Sequence, residues 1–413
     1  MPEYIPFINT PTDRRILNQY YSDCEMVRLP LESAGTLVSE IPQQAKIWLD
    51  PCVDGYHHRL NTNWPHTRRA EWREYYTRLW NQLDRVFGTF RNYELLADPN
   101  EWKKPNQSDL DCFIDSLMNK CTHYKPTWIS VPQLPIAKGP PRDKINKMLA
   151  RATGQWKRNA DWFGKLVLPI IFTNQNQLST PSTQKKKLAS LVNCYDLSGA
   201  NSIWVVDESL TDQQRNSKYI QRYSKLIKFH QRVRNRFGSD VSIIAGPYWA
   251  INLILWAREL CDYPAISLGS SYKYNISCGV PGGPPVNRVV LSPVKRVVVV
   301  EDQLREWLED SLTKLDNNDT AFFEFNEILR NFSKLKTTRI TSLSQTVQSY
   351  RNWLKNIENK PKAGRKFALY QDLSSAYVIG SQLKDLPPEA VPYASAPIRK
   401  AGKVAEQLML SCL

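Results

Sequence analysis

Apolar segments rich in β-branched residues alternate with amphipathic segments of helical period along the chain from residue 46 onward. The apolar runs lie at residues 46–50, 128–131, 166–173, 203–207, 241–246, 265–269 and 288–291. Strands that are apolar on both faces are typical of buried parallel sheets, and intervening helices imply right-handed βαβ units. Seven or eight such units favour an α/β fold of the closed (β/α)8, or TIM-barrel, type over an open doubly wound sheet. No glycine-rich phosphate-binding signature follows any of these runs.

This alternation divides the chain into three predicted parts. Residues 1–45 show no strand–helix unit, so we expect an N-terminal strap or edge hairpin. Residues 46–300 form the predicted barrel domain, with a polar insertion at 88–125 between its first two strands. Residues 301–413 predict a helical C-terminal region, in which the basic segment 360–366 is expected to be a flexible linker and phosphate clamp. These C-terminal helices either fold on the barrel or dock a protein partner.

The charge balance indicates an anionic partner. Lysine and arginine total 55 against 40 acidic residues, a net charge of +15, and aromatic residues make up 11% of the chain. This combination favours a nucleic acid, DNA or RNA, although a positive surplus also serves solubility.

The cysteines and the apolar runs exclude several other classes of protein. The eight cysteines include no C-x-x-C pair, so we expect neither a disulfide scaffold nor a metal, and no cofactor is indicated. The first 15 residues lack the apolar core of a secretion signal, and no run is long enough to span a membrane. We therefore expect a reduced, cytoplasmic protein with no membrane contact.

Polar residues at the predicted strand ends are the candidates for chemistry, because (β/α)8 barrels carry their active sites there. Asp50 and Asp207 are the predicted catalytic pair, since two facing carboxylates can act as nucleophile and general acid/base at a sugar carbon. The predicted substrate-binding residues are Gln133, Asn174, Glu208, Gly246, Tyr248, Ser270 and Tyr272. The alternatives are an ordinary turn at Asp50, which precedes a proline, and a helix cap at Asp207.

A predicted helix closing at Gly238 carries a strongly positive surface. Residues 215–236 include eight lysines and arginines and no acid. Like charges at helical spacing repel one another, and a phosphate backbone would relieve that repulsion. The predicted nucleic-acid contacts are Arg215, Lys218, Arg222, Lys225 and Arg232, with Lys273 from a later loop. The alternative is a solvated outer helix of the barrel. A second positive cluster, at residues 59–91, has aromatic residues between its arginines.

Four blocks of the sequence resemble the tRNA-guanine transglycosylase superfamily, which includes enzymes that insert 7-deazaguanine bases into DNA. The blocks are VPQLPIAKGPPRDKINKMLARATGQWKR, LVLPIIFTNQ together with GANSIWVVDES, SIIAGPYWAINLILWARELCDYPAISLGSSYKY, and KIWLDPCVDG. The resemblance implies a TIM barrel, a DNA or tRNA substrate, a possible 7-deazaguanine-type base, and exchange through a covalent aspartyl–sugar intermediate. Asp50 matches the position of the family's first catalytic aspartate.

Other family positions differ in this chain. Gln133 stands where the family has its acidic base-reading residue, residues 173–175 replace a Gln-Gly-Gly, and residues 267–271 contain no nucleophilic aspartate. The family's zinc-binding cysteines and histidine are absent from the sequence. Asp207 would therefore act as nucleophile with Asp50 as acid/base, while the amides of Gln133 and Asn174 would recognise a base edge.

These observations predict a base-modifying enzyme, a transglycosylase-like pentosyltransferase that flips one nucleotide into its pocket. Two alternatives stay open. One is a catalytically inactive TIM barrel that serves as a nucleic-acid-binding subunit of a larger complex. The other is an unrelated barrel hydrolase that uses Asp50, Asp207 and Glu208 on a sugar or a phosphoester.

Overall fold

The computed structural model describes residues 3–8, 11–52, 107–136, 140–173, 175–207, 210, 219–268, 286–388 and 399–413. Eight parallel strands form a closed barrel in chain order, and the first strand pairs with the eighth. They are Ile5–Phe7 (β1), Met26–Pro30 (β2), Lys46–Asp50 (β3), Trp128–Ser130 (β4), Lys165–Phe172 (β5), Ser202–Asp207 (β6), Ser242–Ala245 (β7) and Tyr263–Ser267 (β8). The predicted (β/α)8 barrel is confirmed.

Helices return on the outside of the barrel between successive strands. They are Pro11–Tyr20 (α1), Leu31–Leu37 (α2), Gln107–Thr122 (α3), Pro140–Asn159 (α4), Pro181–Ser198 (α5), Tyr219–Phe237 (α6) and Ile251–Ala257 (α7). Local sequence sets their ends: the Thr180 side chain caps α5, and Gly199 ends it in a left-handed conformation. Because parallel strands need antiparallel return helices, each helix begins at the end of the barrel where the strands finish. We call that end the mouth.

Residues 3–8 and 11–45 are part of the barrel domain, and the prediction of a strap or hairpin there is wrong. Strands β1 and β2 with helices α1 and α2 supply its first two strand–helix units. β1 has only three residues and α2 only seven, so neither is long enough to show a period. In β2 the charged Arg28 interrupts an otherwise apolar run, so the sequence does not show the pattern of a buried strand.

The predicted insertion at 88–125 is also corrected where the structure describes it. Helix α3 is the outer helix of the third strand–helix unit, and its Leu110, Phe113 and Leu117 are buried in the main core. Its polar outer face made this segment resemble a loop. Residues 53–106, which include the rest of the predicted insertion and the positive cluster at 59–91, lie outside the described residues.

The run at 288–291 is a strand, but it does not belong to the barrel. Arg288–Leu291 (β9) pairs antiparallel with Arg296–Val299 (β10) in a separate two-stranded sheet. A short apolar run satisfies the pattern of a buried strand in either sheet, so the sequence alone does not distinguish the two.

The predicted helical C-terminal region is confirmed, and it folds on the barrel. Its helices are Asp302–Leu312 (α8), Thr320–Arg330 (α9), Phe332–Thr337 (α10), Arg339–Glu358 (α11), Lys362–Gln382 (α12) and Lys403–Cys412 (α13). Arg351 of α11 donates to the carbonyl of Tyr20 in α1 at 3.1 Å, and Tyr350 donates to Asn252 of α7 at 2.6 Å. Helix α11 therefore occupies the place of the barrel's eighth helix.

The basic segment 360–366 is not a linker, because most of it forms the first turn of α12. The Arg365 guanidinium lies 4.2 Å from the centre of the Trp256 ring and donates to Glu3 Oε2 at 2.6 Å. This contact fastens α12 to the end of the barrel opposite the mouth. No helix in the described part of the chain is long and apolar enough to cross a membrane.

A buried histidine in α6 makes the stability of the barrel sensitive to acid. The His230 side chain is completely buried, and desolvation lowers its pKa to about 3. The folded protein therefore favours the neutral ring, relative to an unfolded pKa near 6.5. The stability linked to His230 is fully present above pH 6.5 and falls by about 1.4 kcal/mol per unit as the pH drops towards 3.

We expect His230→Leu to flatten the acid side of the stability profile. Urea unfolding at pH 7.0, 5.5 and 4.5 should show that the free energy of unfolding of the wild type falls more steeply than that of the variant. The extra loss should reach about 2–3 kcal/mol at pH 4.5. Parallel profiles for the two proteins would contradict the assignment.

Candidate functional site at the barrel mouth

Asp50 and Asp207 both end barrel strands, but their side chains point to opposite sides of the barrel wall. Trp48 packs inside the barrel, with its ring 5.4 Å from Phe7 and 5.1 Å from Trp204. Side chains two residues apart on a strand share a face, so Asp50 also points inside. Trp204 is three residues before Asp207, so Asp207 points outwards. The structure does not bring the two predicted catalytic carboxylates together.

Inside the mouth, Asp50 forms a buried ion pair with Arg28 of β2. Arg28 donates from Nε to Asp50 Oδ2 at 3.1 Å and also from Nη2, and the two residues are only 2% and 3% exposed. The guanidinium lies 5.2 Å from the centre of the Phe7 ring. The second carboxylate oxygen accepts the backbone N–H of Cys52 at 3.1 Å. Arg28 was missed from the sequence because its strand was not recognised.

Outside the barrel wall, Asp207 forms a second buried ion pair, with Arg222 of α6. Asp207 Oδ2 lies 2.6 Å from Nε and 2.5 Å from Nη2 of the arginine, and both residues are buried. This pair joins the start of α6 to the end of β6. Arg222 is therefore enclosed between strand and helix, and it does not contribute to a phosphate-binding surface as the sequence predicted.

The other described candidates on α6 are only half-exposed. Arg232 donates to the Gln184 side chain of α5 at 3.1 Å, so it links two neighbouring helices. Lys225 is half-buried near the start of the helix. Arg215, Lys218 and Lys273 lie outside the described residues. Of the predicted cations that the structure describes, Lys225 lies beside the mouth, whereas Arg222 bonds to Asp207 and Arg232 bonds to Gln184.

Of the predicted substrate-binding residues, Gln133 has a structural role in the loop after β4. Its side chain donates to the carbonyl of Asn146 in α4 at 3.1 Å, and the Asn146 amide in turn bonds the backbone of Leu134. These bonds hold the loop against the first turns of α4. Gln133 is buried, so it does not present its amide to solvent. Asn174, Glu208, Ser270 and Tyr272 lie outside the described residues.

Gly246 and Tyr248 follow β7 at the mouth end of the barrel. The Gly246 carbonyl accepts from Trp204 Nε1 at 2.7 Å, and a Cβ at this position would come within 2.7 Å of the Tyr248 backbone nitrogen. The Tyr248 ring is buried, its hydroxyl donates to the carbonyl of Val205 at 3.2 Å, and burial raises its pKa well above the ordinary value. Both residues therefore serve packing at the mouth.

A cluster of lysines at the mouth was not recognised in the sequence. The first eight residues of α4, α5 and α6 include five lysines besides Lys187, and we call these five the mouth lysines: Lys144, Lys147, Lys185, Lys186 and Lys225. Lys144, Lys185 and Lys186 are exposed. Helix N-termini add partial positive charge at the same place. Each helix has few lysines there, so the cluster appears only once the barrel places the three helix starts side by side.

The nearest carboxylate to the mouth lysines on these helices is already paired. Asp143, in the first turn of α4, lies 3.4 Å from Nζ of Lys187 in α5. This ion pair links α4 to α5 beside the mouth lysines. Among the described residues, no three histidine, cysteine or acidic side chains are grouped as metal ligands.

No protein-family model matches the chain, and no curated protein matches it in sequence. The resemblance to transglycosylases therefore stays a hypothesis.

Proposed function

We propose that this protein binds nucleic acid at the mouth of its barrel and that the mouth lysines hold the phosphate backbone. The observation that carries this proposal is the convergence of five lysines from three helices beside the mouth. Backbone phosphates are spaced regularly, so a row of lysines on adjacent helix starts offers them several contacts at once. The net charge of +15 would also speed the encounter with a polyanion.

Base modification is a second candidate, and the Arg28–Asp50 pair favours it. The pair is buried next to Phe7 and Trp204, so its two charges are held in a site that excludes most water. The pair lies at the end of the barrel where catalytic groups of this fold occur. Asp50 would act as general acid or base towards a nucleotide flipped into the mouth, as the transglycosylase resemblance suggests. Asp207 has no part in this proposal, because it faces α6.

Reversing the charge of two mouth lysines tests the binding proposal. We expect Lys185→Glu/Lys186→Glu to weaken binding of a labelled oligonucleotide about tenfold or more at moderate salt. Each lost phosphate contact should also reduce the slope of log K against log salt by about 0.7–0.9. Fluorescence anisotropy across a salt series measures both quantities.

A matched control distinguishes binding at the mouth from attraction by the net charge of the whole protein. Lys355 and Lys360 are exposed, and they flank Glu358, which accepts from the backbone N–H of Glu3 at the end opposite the mouth. Lys355→Glu/Lys360→Glu makes the same change in net charge and should leave affinity almost unchanged. Equal losses in the two double variants would show that binding follows net charge alone and would refute the mouth as the binding site.

A further inference from the structure

Phe163 is 89% exposed in the turn between α4 and β5, at the end of the barrel opposite the mouth. The same turn directs its neighbour inwards: Trp162 is half-buried, with its ring 5.7 Å from Trp156. A Cβ on Gly164 would come within 2.0 Å of the Trp162 ring, so glycine at this position is required for the packing. The turn therefore buries one aromatic ring and presents the next one to solvent. Binding of a partner that covers this exposed ring is favourable, because it removes apolar surface from water.

Several cations lie at the same end of the barrel as Phe163. They include Lys120 in the last turn of α3, Lys125 after α3, Lys157 and Arg158 at the end of α4, and Lys165 at the start of β5. Lys157 bonds to Asn201 at 3.3 Å, and Lys165 lies 5.9 Å from the centre of the Trp128 ring. Two bonds hold these segments together: Trp156 Nε1 donates to Asn119 at 3.0 Å, and the Lys165 N–H donates to the Thr127 carbonyl at 2.9 Å. Asp161 is the acidic residue of the turn itself.

Helix α4 connects this aromatic end to the mouth with a row of cations. Lys144, Arg151 and Arg158 are exposed and repeat every seven residues, so they lie on one face of the helix. Residues 144–160 contain no acid. The fourteen-residue separation of the first and last cation corresponds to about 21 Å at 1.5 Å per residue. We call this row the α4 track.

We propose that a single-stranded nucleic acid runs along the α4 track from the mouth to Phe163, where one of its bases stacks on the exposed ring. The inference rests on the proposed function, and it adds the class of substrate. The cations provide contacts for successive phosphates, and the ring provides a contact for a base. A base inside a duplex is covered on both faces by its neighbours, so an internal base has to be unpaired to stack on Phe163. Basic grooves with aromatic platforms are the usual way in which proteins bind single strands.

The test compares a labelled oligothymidylate, which has little structure of its own, with a labelled duplex. We expect Phe163→Ala to weaken binding of the single strand about tenfold and to leave binding of the duplex unchanged. Phe163→Trp keeps a planar ring and should retain wild-type affinity, with tryptophan emission that is quenched by the bound strand. Phe323→Ala is the control, because Phe323 is also an exposed phenylalanine, at 59%, but on α9 of the C-terminal region.

Arg151→Glu tests the middle of the α4 track and should weaken binding of the single strand several-fold.

Wild-type affinity of Phe163→Ala for the single strand, or equal losses for both probes, would overturn the inference. If Lys185→Glu/Lys186→Glu still weakens binding in that case, the proposed function survives without the track. If the wild type binds neither probe, the proposed function fails and the inference fails with it.

Discussion

Arg222→Ala is expected to lower the free energy of unfolding by about 3–5 kcal/mol. The variant leaves the Asp207 carboxylate buried between β6 and α6 without its counter-ion. In the wild type, two guanidinium nitrogens lie 2.5–2.6 Å from one carboxylate oxygen of Asp207. The variant therefore loses both the charge balance and these bonds. Urea unfolding monitored by circular dichroism measures the change. The loss should be seen at low and at high salt, because the pair is shielded from solvent.

Two further variants show whether the loss comes from the unpaired charge. Arg222→Leu/Asp207→Leu removes both charges and should recover most of the stability, since apolar replacements of buried ion pairs are often tolerated. Lys228→Ala changes an exposed cation of the same helix and should stay within about 0.5 kcal/mol of the wild type. If Arg222→Ala instead keeps full stability and loses affinity for nucleic acid, Arg222 belongs to the binding surface after all.

The two aspartates show how far a sequence can locate a site in this fold. Both were predicted correctly to end barrel strands, because apolar runs that stop at a polar residue mark the strand ends. The direction of each side chain was not predictable. In IWVVD every residue is apolar up to the aspartate, so no alternation of polar and apolar residues shows which face points inwards. The packed ring of Trp204 and the ion pair of Asp207 with Arg222 fix the face.

The parts of the site that the sequence did not reveal depend on contacts between distant segments. Arg28 meets Asp50 across neighbouring strands, and its strand is too short and too irregular to be recognised alone. The mouth lysines come from three helices that are separate in sequence. The run of eight cations at residues 215–236 gave the stronger signal in the sequence, but Arg222 is buried and Arg232 bonds to α5. Charge density along one helix therefore does not show which cations reach solvent.

Asp50→Asn is expected to destabilise the barrel by about 3–5 kcal/mol, because the Arg28 guanidinium then stays buried without a counter-ion. Asparagine has nearly the same shape as aspartate, so packing changes little and the measured loss reports the missing charge. A nearly unchanged free energy of unfolding would show that the buried Arg28 does not depend on the Asp50 charge and would contradict this role of the pair.

Arg28→Met/Asp50→Leu separates a structural role of the pair from a chemical one. The double variant should unfold within about 1.5 kcal/mol of the wild type, since it replaces an enclosed ion pair with apolar side chains. It should also bind nucleic acid normally, because the mouth lysines are untouched. If Asp50 acts in base modification, mass spectrometry of nucleosides from DNA and tRNA should show that a modification present with the wild-type gene disappears with this variant. Persistence of that modification would refute the catalytic role of Asp50 and leave binding as the function of the mouth.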